Sequence, residues 1–335
     1  MSQILGLLLL SFFITSILLV PFIDYLYKLK LRRRDQETRD AFNNRTPIFD
    51  KFHSWKKGTP IGGGLLVIIV VTAITLWSYG LFEKSPKPWE LFVILFAFLS
   101  FGLLGLYDDI KKTFGYKNEG FFGLRLRHKL FLQLIIALII SSAFYFKLGY
   151  DFIFIHWFGT VKIGILFIPL ATFVIISFAN AANITDGLDG LATGLLIVCL
   201  GAFWVIAATL IDPTLAMFIA VWIGSLIAFL YFNVFPARIW LGDVGALSFG
   251  ATLAVVGLLT GKIIAMAIIG GVFTAEVASS LIQLISKKYL KRKAFAVSPF
   301  HLYFQNKGWE EPKIVMRFWL AGIMLAALGV WLAGM

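Results

Sequence analysis

The sequence predicts an all-α, polytopic membrane protein of about ten transmembrane helices. Three observations lead there. Of the 335 residues, 59% are hydrophobic and the mean hydropathy is +0.87, whereas apolar residues make up about half of a soluble domain. The apolar residues fall in runs of about 20, the length that crosses a bilayer as a helix. The charged residues, 14% of the chain, lie almost entirely between those runs.

The candidate spans are 4–24, 60–82, 89–107, 128–147, 163–181, 190–210, 213–233, 244–260, 263–286 and 314–334. The first has no basic segment before it and no small-residue cleavage site after it, so it reads as an uncleaved span rather than a secretory signal. The sixth and seventh are separated by "DPT" alone, a tight turn led by Asp212 and Pro213. The eighth is short and contains glycine. The ninth carries Glu276, and an acid inside a span is a functional candidate by default. No linker composition divides the chain, so residues 1–335 read as one integral membrane domain. The single cysteine, Cys199, lies within an apolar run; one cysteine closes no internal disulfide, no zinc spacing surrounds it, and packing is its expected role.

Orientation follows from the basic residues. With ten spans, the loops after odd-numbered spans, together with Arg317 just inside the last, hold 25 of the 30 Lys and Arg. The opposite side has only Lys84, Lys87, Lys147, Lys162 and Lys262. Both termini are therefore expected on the non-cytoplasmic side. This asymmetry also accounts for the net charge of +12 without any nucleic-acid partner, since loop cations face anionic headgroups.

Topology does not explain the acids. Asp108 and Asp109 ("GLYDDIKK"), Asp186 and Asp189 ("NITDGLDG") and Asp243 ("WLGDVGA") all fall at span ends on the expected cytoplasmic side. An N-cap is the ordinary alternative for any one of them, Asp186 in particular. Five carboxylates at one face repel one another unless a cation or ligand neutralises them. Mg²⁺ takes oxygen ligands and completes its shell with phosphate oxygens and water. Lys56, Lys57, Lys111, Lys112 and Arg238 lie beside the acids. Carboxylates, Mg²⁺ and lysines describe a diphosphate site for phosphoryl transfer. No GxxxxGK[ST] loop is present, which excludes a P-loop machine.

The last basic loop, "KKYLKRKAFAVSPFHLYFQNKGWEEPK", mixes cations with Phe295, Phe300, Tyr303, Phe304 and Trp309. It reads either as an amphipathic segment on anionic lipid or as a substrate arm at the face with the carboxylates. His301 is the histidine it contributes.

The stretches "DDIKK", "NAANITDGLDGLA" and "FNVFPARIWLGDVGALSFG" resemble the signature regions of the polyprenyl-phosphate N-acetylhexosamine-1-phosphate transferases, ten-span enzymes of the bacterial inner membrane with a cytoplasmic active site. "KKGTPIGGG" and "SPFHLYFQNKGWEEPKIVMRFW" look most like the phospho-N-acetylmuramoyl-pentapeptide transferase branch of peptidoglycan synthesis. The resemblance runs from about residue 55 to the C-terminus. It implies a Mg²⁺-dependent phosphoglycosyl transferase in which undecaprenyl phosphate attacks the β-phosphate of a UDP-sugar, UMP leaves, and a lipid-linked diphosphate sugar (lipid I for this branch) forms. The implied partners are UDP-MurNAc-pentapeptide, undecaprenyl phosphate, the bilayer and a second copy in a homodimer. By motif, Asp108 and Asp109 match the paired aspartates of catalysis, and Lys112 matches the lysine that follows them and contacts phosphate. Asp243, with Asp186, matches the Mg²⁺ site. Asn183, Asp186 and Asp189 match the nucleotide-contacting central motif. Asn233 and Trp240 match positions near the base, with Trp240 where the family often has Phe. Lys57 matches a substrate-facing lysine, and His301 the first of a three-histidine run; the implied catalytic set is Asp108, Asp109, Asp243 and His301.

The chain departs from the branch in two places. "HLYFQ" stands where the branch has "HHHFE", so Leu302 and Tyr303 replace two histidines, and "GTPIGGG" replaces "GTPTMGG". UDP-GlcNAc is accordingly the alternative donor. A secondary transporter is the alternative of another class, although transporters bind near the midplane and on internal repeats, and neither is visible here.

Overall fold

The computed structural model describes residues 2–32, 56–82, 87–114, 124, 126–210 and 212–334. Most of the first basic loop, with all its arginines but Arg32, lies outside the described residues. Among those described, nine helices are long and apolar enough to cross a membrane, or ten when one sharply bent pair counts as a single span. Helices are the expected solution here, because in lipid every backbone polar group must find its partner within the segment.

In chain order the helices are α1 (Ser2–Lys28), α2 (Gly64–Phe82), α3 (Pro88–Phe114), α4 (Leu126–Leu148), α5 (Phe167–Thr185), α6 (Leu191–Thr209), α7 (Pro213–Asn233), α8 (Gly242–Leu259), α9 (Ile263–Ile269), α10 (Gly271–Ile285), α11 (Phe300–Asn306) and α12 (Glu311–Leu332). The turn before α7 forms as its sequence suggests: Pro213 opens the helix and Asp212 Oδ1 accepts the Leu215 N–H at 3.0 Å. Between α4 and α5 the chain adds an element the pattern did not disclose, an antiparallel hairpin of β1 (Phe152–Ile155) and β2 (Gly159–Lys162), with Phe152 opposite Lys162.

The core is organised around α8, the span that looked weakest in sequence. Every residue from Val244 to Leu259 is buried. It packs against α3 and α5 most extensively, and against α2, α6 and α9 as well. Its small residues make this possible. A Cβ on Gly64 of α2 would lie 2.2 Å from the Gly245 Cα, and one on Gly105 of α3 would lie 2.1 Å from the Asp243 carbonyl oxygen. Between membrane helices, where lipid is as apolar as leucine, backbone approach of this kind is the main source of packing. The outer helices are the reverse. Leu9, Phe13 and Ile17 of α1 and Met316, Leu320 and Met324 of α12 are exposed, forming faces suited to lipid.

The ninth expected span, 263–286, is not one straight helix. It breaks at Gly270 into α9 and α10, the two parts meeting at 83°. A Cβ on Gly270 would strike Phe178 at 2.5 Å, and one on Gly271 would meet Leu325 at 2.9 Å. At the break the Thr274 hydroxyl donates to Gly270 O and Ala267 O at 3.1 and 3.2 Å. Paired glycines and an inserted side chain are recognised causes of a kink.

Gly105→Ala is expected to lower the unfolding temperature in detergent, by an overpacking cost of about 1–3 kcal/mol. Gly201→Ala, with nothing within 4 Å of its Cβ, is the control and should leave the transition in place.

Candidate active site

One end of the bundle gathers the ends of α3, α5 and α7 with the starts of α2, α4, α6, α8 and α12. Its centre is the N-terminus of α8. Gly242 has φ +74°, and a Cβ there would sit 2.6 Å from Asp109 Oδ2, so only glycine lets the α3 carboxylate in. Asp109 then accepts the backbone N–H of Asp243 at 3.1 Å and of Val244 at 3.0 Å. A carboxylate at this position satisfies two donors that the helix leaves over and opposes the positive end of its dipole. The segment 60–64 is held alongside by backbone hydrogen bonds: Trp240 N to Pro60 O, Gly63 N to Trp240 O and Gly64 N to Leu241 O, at 2.9–3.0 Å.

Asp243 points into a cluster of opposite charges. Its Oδ2 meets Lys112 Nζ at 2.8 Å and Lys129 Nζ at 2.5 Å, and its Oδ1 accepts from Asn183 Nδ2 at 3.1 Å. Asp108 lies behind, bridging the same two lysines from Oδ2 at 3.1 and 3.0 Å and taking the Leu124 N–H on Oδ1 at 2.6 Å. Asp108 and Asp109 are each 2% exposed, with every carboxylate oxygen engaged. Lys112 and Asp243 are the more open members, with side chains 32% and 13% exposed.

Asp186 does not start a helix. It is the C-cap of α5, while Gly190, in the left-handed region, precedes α6. Burial and the negative charges of Asp243, Asp109 and Asp189 hold its carboxyl well above the usual carboxylate range, against the pull of Lys56. Asp189, three residues on, belongs to a second cluster. Lys56 Nζ bridges Asp189 Oδ1, at 2.7 Å, and Glu311 at the start of α12. Glu311 Oε1 accepts the Asp189 N–H at 2.7 Å, and Asp189 Oδ2 accepts the Ala237 N–H at 2.9 Å. This ties four separate segments of the chain at the mouth of the site. The Lys56 ammonium also stands 5.1 Å from the centre of the Trp240 ring.

The expected site residues thus lie at one end of the bundle. Lys56, not Lys57, is the lysine of "KKGTP" turned inward; Lys57 is exposed. Asn233 is buried and engaged, accepting from Thr193 Oγ1 at 2.7 Å and donating to Ile239 O at 2.9 Å, so it braces the loop beneath Trp240. His301 is buried and held by Glu276, whose two oxygens face its backbone N–H and its Nδ1, each at 3.0 Å. Its Nε2 lies where a Cβ on Gly187 would be 2.6 Å away, against the turn between Asp186 and Asp189.

Lys129, Glu311 and the pairing of Glu276 with His301 escaped the sequence reading. Lys129 was visible only as one of the loop cations. Glu276 and His301 each stood out alone, and no periodicity joins residues 25 apart.

Among the described residues no three His, Cys, Asp or Glu side chains form a metal site by themselves. The donor set nevertheless fits a hard divalent ion that takes one or two carboxylates and completes its shell from phosphate and water. Burial first, and then the crowded negative charge, hold the Asp186 carboxyl above the usual carboxylate range, and a cation there would offset both.

The family model described as "Glycosyl transferase family 4" matches residues 91–261. The chain is 35% identical to the phospho-N-acetylmuramoyl-pentapeptide-transferase of Bacillus pumilus, over 96% of its own length and 95% of the relative. For the protein of the same name from Bacillus subtilis the identity is 34% with the same coverage. For that from Thermodesulfovibrio yellowstonii it is 34%, covering 96% of this chain and 90% of the relative.

The raised pKa of Asp186 makes a stability prediction. Between the unfolded carboxylate value and the raised folded one, the native state holds a proton that the unfolded chain has released, so stability falls as pH rises through that window. Asp186→Asn removes the penalty. In metal-free buffer above the folded value it should raise the unfolding temperature by about 2–4 °C per kcal/mol relieved and flatten the decline with pH. A variant melting at or below the parent throughout would contradict the assigned burial and charge.

Proposed function

The chain belongs to glycosyl transferase family 4, with the phospho-N-acetylmuramoyl-pentapeptide-transferases as relatives along nearly its whole length, and from that premise we propose that it transfers phospho-N-acetylmuramoyl-pentapeptide from its UDP-linked donor to undecaprenyl phosphate, releasing UMP and forming lipid I. The observation that carries the proposal is the carboxylate–lysine cluster built around Asp243 at the N-terminus of α8. In the reaction an acceptor phosphate oxygen bonds to the donor β-phosphorus, the bond from that phosphorus to the bridging oxygen breaks, and UMP carries the electron pair away.

Asp243 and Asp186 are the residues that would hold Mg²⁺, which when bound neutralises the donor diphosphate. The protein's own groups do the rest. Lys112 and Lys129 supply positive charge to phosphate oxygens, an electrostatic task suited to a loose phosphoryl transition state. Asp108 sets the position of both lysines. Asp109 occupies the N–H groups of α8 and so positions Asp243, a task distinct from the direct catalytic role its motif implies. Trp240 offers a ring for the base beside Lys56, while Asn233 acts from beneath by holding the loop. The acceptor phosphate is largely ionised at neutral pH, so a strong base is unnecessary.

The donor assignment rests on the relatives. Within "HLYFQ", Leu302 is buried as a packing residue, and half-buried Tyr303 lies beside the Lys307 ammonium at 5.6 Å. The charge asymmetry supports a site facing the cytoplasm from a bacterial inner membrane, and the resemblance adds a homodimer.

Purified protein offered UDP-MurNAc-pentapeptide and UDP-GlcNAc with undecaprenyl phosphate should release UMP from the first in preference. Preferred turnover of UDP-GlcNAc would overturn the donor and leave the reaction class. Chelation with EDTA should stop turnover and Mg²⁺ restore it. Asp243→Asn should cut kcat by about 10²–10³-fold, the scale for losing one preorganised electrostatic group, and should also lower the melting temperature because Lys112 and Lys129 lose a partner, so its turnover is measured well below that transition. Asp109→Ala should lose stability together with activity, by about 1–3 kcal/mol for each of the two buried N–H groups left unpaired.

A further inference from the structure

Beyond the carboxylate cluster, α10 ends in a π-helical turn, Ser286–Leu290, closed by Lys291 in the left-handed region at φ +53°. Such turns are rare and gather at functional places. The chain then folds back on α10 and is fastened there. Gln283 Oε1 accepts the N–H groups of Ala294 and Phe295 at 3.0 and 2.9 Å, its Nε2 donates to Phe295 O at 3.0 Å, and the Ser286 hydroxyl donates to Arg292 O at 2.8 Å. The fold-back borders an open pocket of about 450 Å³ lined by Ile282, Ile285 and Leu290 together with Arg292 and Lys293.

Its lining combines two chemistries. Ile282, Ile285 and Leu290 are 49–61% exposed at the end of the second half of the bent candidate span. Five of the seven residues from Lys287 to Lys293 are cationic. The helix C-terminus by itself disfavours an anion, and that density of cations reverses the local sign. No lining residue belongs to the cluster around Asp243.

We propose that this pocket binds an anionic phospholipid of the bilayer, its phosphate against Arg292 and Lys293 and its acyl chains along Ile282, Ile285 and Leu290. Charge complementarity selects the headgroup, since juxtamembrane Lys and Arg attract anionic lipid. The apolar wall, continuous with the lipid-facing side of α10, selects a chain-bearing ligand over free phosphate. The proposal does not depend on the reaction assigned above.

The test uses the full-length protein in neutral detergent, with phosphatidylglycerol, phosphatidylcholine and undecaprenyl phosphate as probes and bound lipid counted by native mass spectrometry. The parent should retain phosphatidylglycerol over phosphatidylcholine by about tenfold, and Arg292→Gln/Lys293→Gln should remove most of that preference, as loss of two cations at a membrane surface implies. Turnover of the double variant in neutral detergent should equal the parent's. A photoactivatable phosphatidylglycerol should label the peptide 282–294 of the parent, a readout that needs no variant. Equal retention of the two phospholipids, labelling elsewhere, or a variant binding like the parent would overturn the proposal. So would displacement by equimolar undecaprenyl phosphate, which would give the pocket to the acceptor.

Discussion

The grip of Asp109 on the N-terminus of α8 is the interaction on which the rest of this structure depends. α8 is buried along nearly its whole length and touches most of the bundle. Its first turn carries Asp243. A helix start buried without partners would cost the free energy of several unmet N–H groups. Asp109 meets two of them from α3, and Gly242 leaves the space for it to do so. Packing and function therefore share one joint: the contact that seats the central helix also sets where Asp243 points.

Around that joint, charge does work that apolar packing cannot do at a membrane face. Asp243 and Asp108 share Lys112 and Lys129, so α3, α4 and α8 are joined by ions at one depth. Lys56, Asp189 and Glu311 join the 56–64 segment, the α5–α6 turn and α12 in the same way. Removing one partner from such a cluster leaves an uncompensated buried charge and is far more damaging than losing a surface pair. The carboxylates around Asp186 leave a negative excess there, which suits an end of the bundle that receives a cation with a polyanionic substrate.

Glycine sets the geometry at two scales. Gly64, Gly105 and Gly245 let helix backbones touch around α8, fixing the bundle to within the width of a methyl group. Gly270 breaks the ninth span, and the 83° turn carries α10 away from α9. That turn directs Glu276 toward His301 and takes the basic π-turn out along the lipid-facing side.

Much of this was readable in the residues themselves. Hydropathy and the spacing of the apolar runs determined the helical membrane fold, because a bilayer admits few other solutions. Asp212 with Pro213 marked its turn, and the acids at span ends marked the site, since carboxylates there need a compensating charge. Partner choice was not readable. That Lys56 rather than Lys57 turns inward, that Lys129 bridges Asp108 and Asp243, that Asn233 braces a loop, and that Glu276 holds His301 are all contacts between residues far apart in the chain. Hydropathy is local, while an ion pair between helices exists only once packing brings them together. The same holds for α8: its glycines look like weakness in a hydropathy window, and only the tertiary structure shows that they are what lets it stand at the centre.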